Sequence, residues 1–314
     1  MKGVEIVEDQ AYFSGTTAEL QEALTRGVLD RCGSLVVERK LIALPPEIGR
    51  LKRLRELILD TDTVQTIDPG LFQCAGLVKL VVLSNQLKLL PAGGWAKLKS
   101  LEQLVLTTSN ALRELPADIG DAPRLGGDLD LRAQTKLAPL PASFGRLAGV
   151  TLLRLPPGVH PPDPIAGMRG LRELGLRGID TLPADLGALA ELRFLDLSEC
   201  PITALPDDLG NAKLMHTLTL ARTKLTRLPE SIGDLSALRE LDLSETPLET
   251  LPESIGRAPL QRLRLQQTAI TRLPDSLATP AGDLRIFLPR EHRAAIEASS
   301  PAVINALGSR ARFE

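Results

Sequence analysis

The side chains best suited to nucleophilic or metal chemistry in this 314-residue sequence are three cysteines and three histidines: Cys32, Cys74, Cys200, His160, His216 and His292. A thiol nucleophile needs a base within hydrogen-bond reach, and a zinc site needs Cys or His pairs at short, regular spacing. The nearest thiol and imidazole along the chain, Cys200 and His216, stand 16 residues apart. An HExxH helix, a Cys-x-x-Cys pair and a glycine-rich phosphate loop are all missing from the sequence. These residue types predict no catalytic, cofactor-binding or metal-ligating set, and an enzyme built from this chain alone is not expected.

What recurs in the sequence is leucine. Leu238–Gly256 reads LRELDLSETPLETLPESIG, Leu192–Gly210 reads LRFLDLSECPITALPDDLG, and from Leu54 the chain reads LRELILDTDTVQTIDPGLF. The common template is L-x-x-L-x-L-x-x-T-x-L-x-x-L-P-x-x-I-G. Anchored on the second Leu of L-x-L, units fall at Val36, Leu59, Val82, Leu106, Leu131, Leu155, Leu176, Leu197, Leu220, Leu243, Leu265 and Ile286. The gaps run from 21 to 25 residues, most often 23. A period of this length marks a solenoid, in which each unit packs only against its neighbours and no single large core is needed. Hydrophobic residues make up 43% but aromatics only 3%, which suits thin leucine layers better than one irregular core.

The template dictates a layer. In Leu241-Asp242-Leu243 side chains alternate, so the leucines face inward and Asp242 faces out. One short strand per unit stacks on the next. Pro252 fixes φ and lacks an N–H, which suits the first turn of a returning short helix or 3-10 segment. Gly256 suits its end, where positive φ is often needed. Cys74 falls where other units carry Leu or Ala, so a small buried hydrophobe is expected there.

The L-x-x-L-P-x-x-I-G form, as in Leu225–Gly233 (LTRLPESIG), resembles a subclass of leucine-rich repeat. That subclass occurs in plant intracellular Ras-group-related proteins and in effectors delivered by bacterial type III secretion. The resemblance covers residues 34–288. It implies an α/β solenoid, a horseshoe of about 11–12 parallel concave strands with short convex helical or 3-10 turns and helical caps at both ends. It also implies a ladder three residues after each anchor, whose side chains bond the buried loop backbone. The positions are Asp62, Asn85, Cys200, Thr223, Thr246 and Thr268, with Ser109-Asn110 and Gln134-Thr135 in the longer units. Asp283–His292 (DLRIFLPREH) resembles the strand-plus-helix closure of some plant-pathogen effector repeat domains. Some such effectors join their repeats to a ubiquitin ligase with a Cys-x-Asp nucleophile. Here Cys32-Gly-Ser, Cys74-Ala-Gly and Cys200-Pro-Ile lack that motif, so ligase chemistry would lie outside this chain. Arginine supplies 27 of the 37 basic residues, which suggests a GC-rich bacterial genome.

Caps are expected at residues 1–33 and 289–314. The first opens a helix at Thr16-Thr-Ala-Glu19, a capping-box pattern, with Leu20, Leu24 and Val28 on one stripe and a stop near Gly33. The second follows a last strand over Leu284–Pro289, with helices from Arg290 to Ala298 and from Ser300-Pro301 to about Gly308. Between them Leu155–Pro164 carries five prolines and places Gly158 at the ladder position, so a local break in the ladder is predicted there. The opening Met1–Asp9 lacks a basic-then-apolar signal pattern. The expected compartment is therefore the cytoplasm, or a host cell reached through a type III system.

Function is expected on the outward positions around each L-x-L. Early units present Ile58, Val81, Leu83 and Val105, apolar where solvent-facing strand positions are usually polar. Middle units present Arg132, Arg154 and Arg177, and later ones Phe194, Asp196, Arg222, Asp242, Arg262 and Arg264. These are the candidate protein-binding residues, with Phe194 the best aromatic anchor. The balance of 37 basic and 39 acidic residues, net −2, predicts a specific protein partner and no nucleic acid. No apolar run is long enough to cross a bilayer, so membrane insertion is not expected.

Overall fold

A computed structural model describes residues 3–38, 40–107, 111–279 and 283–314. The chain forms two compact units, Met1–Pro156 and Pro157–Glu314.

The first unit opens with an antiparallel hairpin, Val4–Val7 against Gln10–Phe13, and its second strand pairs in parallel with Ser34–Glu38. Glu56–Asp60, Lys79–Leu83 and Gln103–Thr107 continue this sheet to six strands. The strands are parallel and in register because identical repeats place leucines side by side: Leu35, Leu57, Leu80 and Leu104 form one inward row, Val37, Leu59, Val82 and Leu106 the next. The first anchor is thus Val37 and not Val36, because three consecutive apolar residues there hide the alternation. Gly126–Asp130 and Gly149–Arg154 form a further parallel pair, with a bulge between Val150 and Leu152.

The capping helix runs from Thr17 to Thr25, and the Thr16 and Glu19 side chains each bond the other's backbone. Leu20, Ala23 and Leu24 are its buried face. It ends well before Gly33, so Val28 lies off the stripe and is exposed, while Leu29 is buried in its place. The hairpin was not legible in the sequence: two four-residue strands are too short for their alternation to stand out.

The second unit has seven parallel strands: Glu173–Gly175, Phe194–Asp196, Thr217–Thr219, Glu240–Asp242, Arg262–Arg264, Arg285–Leu288 and Ala311–Phe313. Leu174, Leu195, Leu218, Leu241, Leu263 and Ile286 align in one inward row. Ile286 therefore matches the first Leu of the motif, and the last anchor is Leu288. The helices Arg293–Ser299 and Pro301–Leu307 cover the final layer. The closing strand Ala311–Phe313, unforeseen as part of a purely helical cap, then returns to pair beside Leu288. Ser300 is buried and accepts the Leu273 amide at 2.8 Å, tying the cap to that layer.

Most returning segments make a 3-10 turn, such as Pro46–Arg50, Asp207–Asn211, Glu230–Asp234 and Glu253–Arg257, but the one between Gly149–Arg154 and Glu173–Gly175 does not. The turn glycine has a different cause from the expected one. Gly256 is not among the residues with positive φ. A Cβ there would stand 2.5 Å from Ser276 Cβ and 2.7 Å from its carbonyl oxygen, so glycine lets adjacent turns approach.

The proline-rich break begins the second unit, where Gly158 takes φ +78° and donates to the Arg177 carbonyl at 2.8 Å. Asp185 accepts the Ile165 and Ala166 amides at 3.2 and 2.8 Å, closing a turn that the template residues do not.

Candidate protein-binding face

The outward side chains of the first unit lie in three rows across the strands. Ser34, Glu56, Lys79 and Gln103 form the entry row, and Lys79 pairs with Glu56 at 2.8 Å. The middle row is apolar throughout: Tyr12, Val36, Ile58, Val81 and Val105. Glu38, Asp60 and Leu83 form the exit row. Ile58, Leu83 and Val105 are half-buried, as is Tyr12. Val36 and Val81 are only 8% and 7% exposed, although they point away from the leucine layers. The expectation that Val81 faces open solvent is corrected here. Strands about 4.8 Å apart let β-branched neighbours in one row shield each other.

Farther along this unit Asp130 accepts four hydrogen bonds from Arg132, among them 2.9 Å from Nε and 2.6 Å from Nη2, and lies 3.7 Å from Arg154. The Arg132 hydrogen bond is the main reason the Asp130 carboxyl sits below the ordinary carboxylate range. The second unit's face carries a comparable lattice. Arg177 meets Asp196 at 3.4 Å and Glu199 at 3.1 Å. Arg222 bridges Glu199 at 3.6 Å and Glu245 at 3.0 Å. Arg262 pairs with Glu240 at 2.9 Å and Arg264 with Asp242 at 3.2 Å. Asp196 and Asp242 also each accept the amide and hydroxyl of a serine two residues on, Ser198 and Ser244, and so shape the turn leaving the strand. Phe194 stays 46% exposed and meets His216 edge-on, with ring centroids 6.5 Å apart. It does not stand with Arg222, which lies beyond the opposite end of the strands.

A family model described as Leucine Rich Repeat matches residues 191–212 and 237–258. The fold is that of leucine-rich repeats. The plant peptide hormone receptor RGFR1 in complex with RGF2 aligns at TM-score 0.59 and 21% identity, over 91% of this chain and 48% of the receptor chain. The functional domain of InlJ from Listeria monocytogenes aligns at 0.55 and 20%, over 85% of this chain and 56% of that one. An internalin (InlF) from Listeria monocytogenes aligns at 0.53 and 15%, over 94% and 88%. This chain thus spans about half the length of the first two. No curated protein sequence matches it.

The leucine-rich-repeat layers decide what the polar and sulfur side chains can do. Thr223, Thr246 and Thr268 are buried, and each hydroxyl donates to the anchor carbonyl three residues back, at 2.9, 2.7 and 2.8 Å. Cys200 takes the same position, with Sγ 3.4 Å from the Leu176 carbonyl of the preceding layer. Asp62 and Asn85 do not belong to this set. Both are exposed, and the Asn85 amide donates to Asp62 at 3.3 Å. The buried polar residues there sit one place earlier, at Thr61 and Ser84, and Ser84 donates to the Val64 carbonyl at 2.7 Å. Turn residues there fall at 62–63 and 85–86, two places later after the anchor than in the Thr223 and Thr246 units. Gln134 is buried, with its amide 3.3 Å from the Leu106 carbonyl, while Ser109 and Asn110 lie outside the described residues.

None of the cysteines is poised as a nucleophile. Burial pushes the Cys74 thiol up to about 11, against a smaller opposing effect from Lys52, and burial raises Cys32 and Cys200 as well. His216 lies against Phe194 and not against Cys200. Among the described residues no group of three or more His, Cys, Asp or Glu could hold a metal ion. Among those residues, too, no helix is long and apolar enough to cross a membrane.

Sequence reasoning missed one structural carboxylate. Asp118 accepts the amides of Gly93, Gly94 and Trp95 at 3.1, 2.8 and 3.2 Å. Burial alone would raise its carboxyl, but these amides together hold it below the ordinary value. The signal was present in the Gly93-Gly94 pair, which replaces template residues and leaves amides without their usual partners.

Proposed function

We propose that this leucine-rich-repeat chain is a recognition module that takes a protein partner on its outward sheet face, with the first unit's apolar row as the principal contact. The observation that carries this reading is the row Tyr12, Val36, Ile58, Val81 and Val105, five apolar side chains on a face where the second unit uses threonine and paired charges. Solubility gives no reason to keep such a row, whereas an interface core does. Within the first unit, Arg132 and Arg154 give the same face its polar positions. The second unit, taken by itself, offers Phe194 as a separate anchor among Arg177, Asp196, Arg222, Asp242, Arg262 and Arg264. A plant peptide hormone receptor of the same fold is seen in complex with RGF2, so this fold can carry a binding role.

The test compares the intact chain with Ile58→Asp and Phe194→Ala as immobilised bait, with captured proteins quantified by mass spectrometry. Ile58→Asp loses at least about ten-fold of the specific partner, as expected when a charge enters an interface core. Phe194→Ala loses less. Undiminished capture by both variants, with unchanged melting curves, overturns the reading. The finer assignment, a bacterial effector acting inside a host cell, rests on the resemblance of Asp283–His292. Its ligase form predicts that this chain alone builds no ubiquitin chains with purified activating and conjugating enzymes.

A further inference from the structure

The apolar row of the first unit lies between two edges of opposite charge. At the entry edge a cleft of about 650 Å³ is lined by Arg31, Lys52, Arg53 and Arg55, with Asp9 and Glu56 the only carboxylates. At the exit edge a depression of about 530 Å³ is lined by Glu38, Asp60 and Asp62, with Lys40 the only cation among the described residues. Arg31, Arg53, Arg55, Glu38 and Asp60 have no ion-pair partner among the described residues. In the entry row between cleft and apolar row, Glu56 and Lys79 neutralise each other at 2.8 Å.

The dimensions select a shape. Five strands spaced about 4.8 Å apart make the apolar row about 19 Å long. Four residues along a strand separate the Glu56 level from Asp60, about 13 Å. A helix with side chains is about 10 to 12 Å wide and rises about 1.5 Å per residue. One helix of about 13 residues, lying across the strands, fills the row and leaves both charged edges against its flanks.

We infer that the first unit binds an amphipathic α-helix of its partner, with an apolar stripe flanked by acidic residues on one side and basic residues on the other. This rests on the recognition role proposed above and adds the chemistry of the occupant. The apolar stripe packs on Ile58, Val105 and Tyr12. The acidic flank meets the arginine cleft, and the basic flank meets Glu38 and Asp60. Flanks of one sign only would set like charges against one edge, which costs affinity. The surface therefore selects against uniformly basic or uniformly acidic helices.

The probe is a set of three lactam-stapled 14-residue helical peptides sharing one leucine stripe. One has a Glu flank and a Lys flank, one has Lys on both flanks, and one has Glu on both. Binding to the full chain is read by fluorescence anisotropy. At about 50 mM salt the mixed peptide binds about ten-fold tighter than either uniform one, and the advantage shrinks at about 300 mM as screening shortens the Debye length. Glu38→Lys with Asp60→Lys moves the preference to the Glu-flanked peptide. Arg53→Glu with Arg55→Glu moves it to the Lys-flanked one. All four positions are on the surface, and melting curves verify that the variants fold.

Equal affinities, a preference that the reversals leave unmoved, or no binding by any peptide up to about 1 mM overturns the inference. Ile58→Asp separates the two levels. If all three peptides bind alike and Ile58→Asp abolishes them, the face binds helices without the charge rule. If binding survives Ile58→Asp, the recognition face itself is misplaced.

Discussion

The two units fill their inward rows with the same residues and their outward rows with different ones. Leu57 and Leu80 in the first unit and Leu218 and Leu241 in the second are all fully or almost fully buried, in equivalent registers. On the outward face the first unit sets Ile58 beside Val81 and Val105, while the second sets Asp196, Thr219, Asp242 and Arg264 in the matching row. In the second unit Arg177, Arg222, Arg262 and Arg264 each meet a carboxylate of a neighbouring repeat. In the first unit the row can lose water contact only by covering itself or by taking a partner. The same template thus carries an apolar outward row in the first unit and a largely charge-paired one in the second. The inward positions are fixed by folding, and the outward ones are free to be shaped by use.

The comparison can be broken at its most secure point first. Leu57→Ala and Leu241→Ala should each cost about 2–5 kcal/mol by leaving a cavity in a packed layer. Urea melts followed by circular dichroism measure both. A cost confined to one unit would show that the inward rows are not equivalent after all.

A smaller difference is expected in the polar positions. Thr246→Val removes the donor to the Leu243 carbonyl and should cost about 1 kcal/mol. Asp62→Ala, at the position the template equates with it, should stay within about 0.5 kcal/mol because Asp62 is on the surface. Equal costs in the same urea titration would restore Asp62 to the ladder.

The smallest effect concerns acid. The Asp118 carboxyl is held below its unfolded value of about 3.9. Its contribution is therefore present above that pH and is lost as pH falls through the folded value. Asp118→Asn should lower the stability of the first unit at neutral pH, where the carboxylate contributes, and flatten its fall below about pH 4. A profile that falls as steeply as in the wild type would show that the three amides do not depend on this charge.

Much of this was legible without coordinates because a repeat states its own register many times. The capping box at Thr16 and Glu19, the buried Cys74 and Cys200, and Thr223, Thr246 and Thr268 all occupy the places that the template assigns. The errors fell where the template was locally ambiguous. Three apolar residues at Leu35, Val36 and Val37 hid the alternation and shifted the first anchor by one. Ile286 and Leu288 posed the same ambiguity at the last strand. Thr61-Asp62 and Ser84-Asn85 each offered two adjacent polar residues, and only packing chose the earlier one. Gly256 was given a backbone reason when its real constraint is a neighbouring turn that no single repeat contains.

The sequence by itself determined the leucine period, the inward rows and the absence of a spaced thiol–imidazole or metal motif, because each depends on residues within one unit. Only the tertiary structure decided which charges neutralise one another, since Glu199, Arg222 and Glu245 belong to the turns of three successive repeats. It alone also set Ile58 between Val36 and Val81 as one apolar row and gathered Arg31, Arg53 and Arg55 at its edge. Those relations run across the strands, perpendicular to the chain, where spacing in sequence has no direct say.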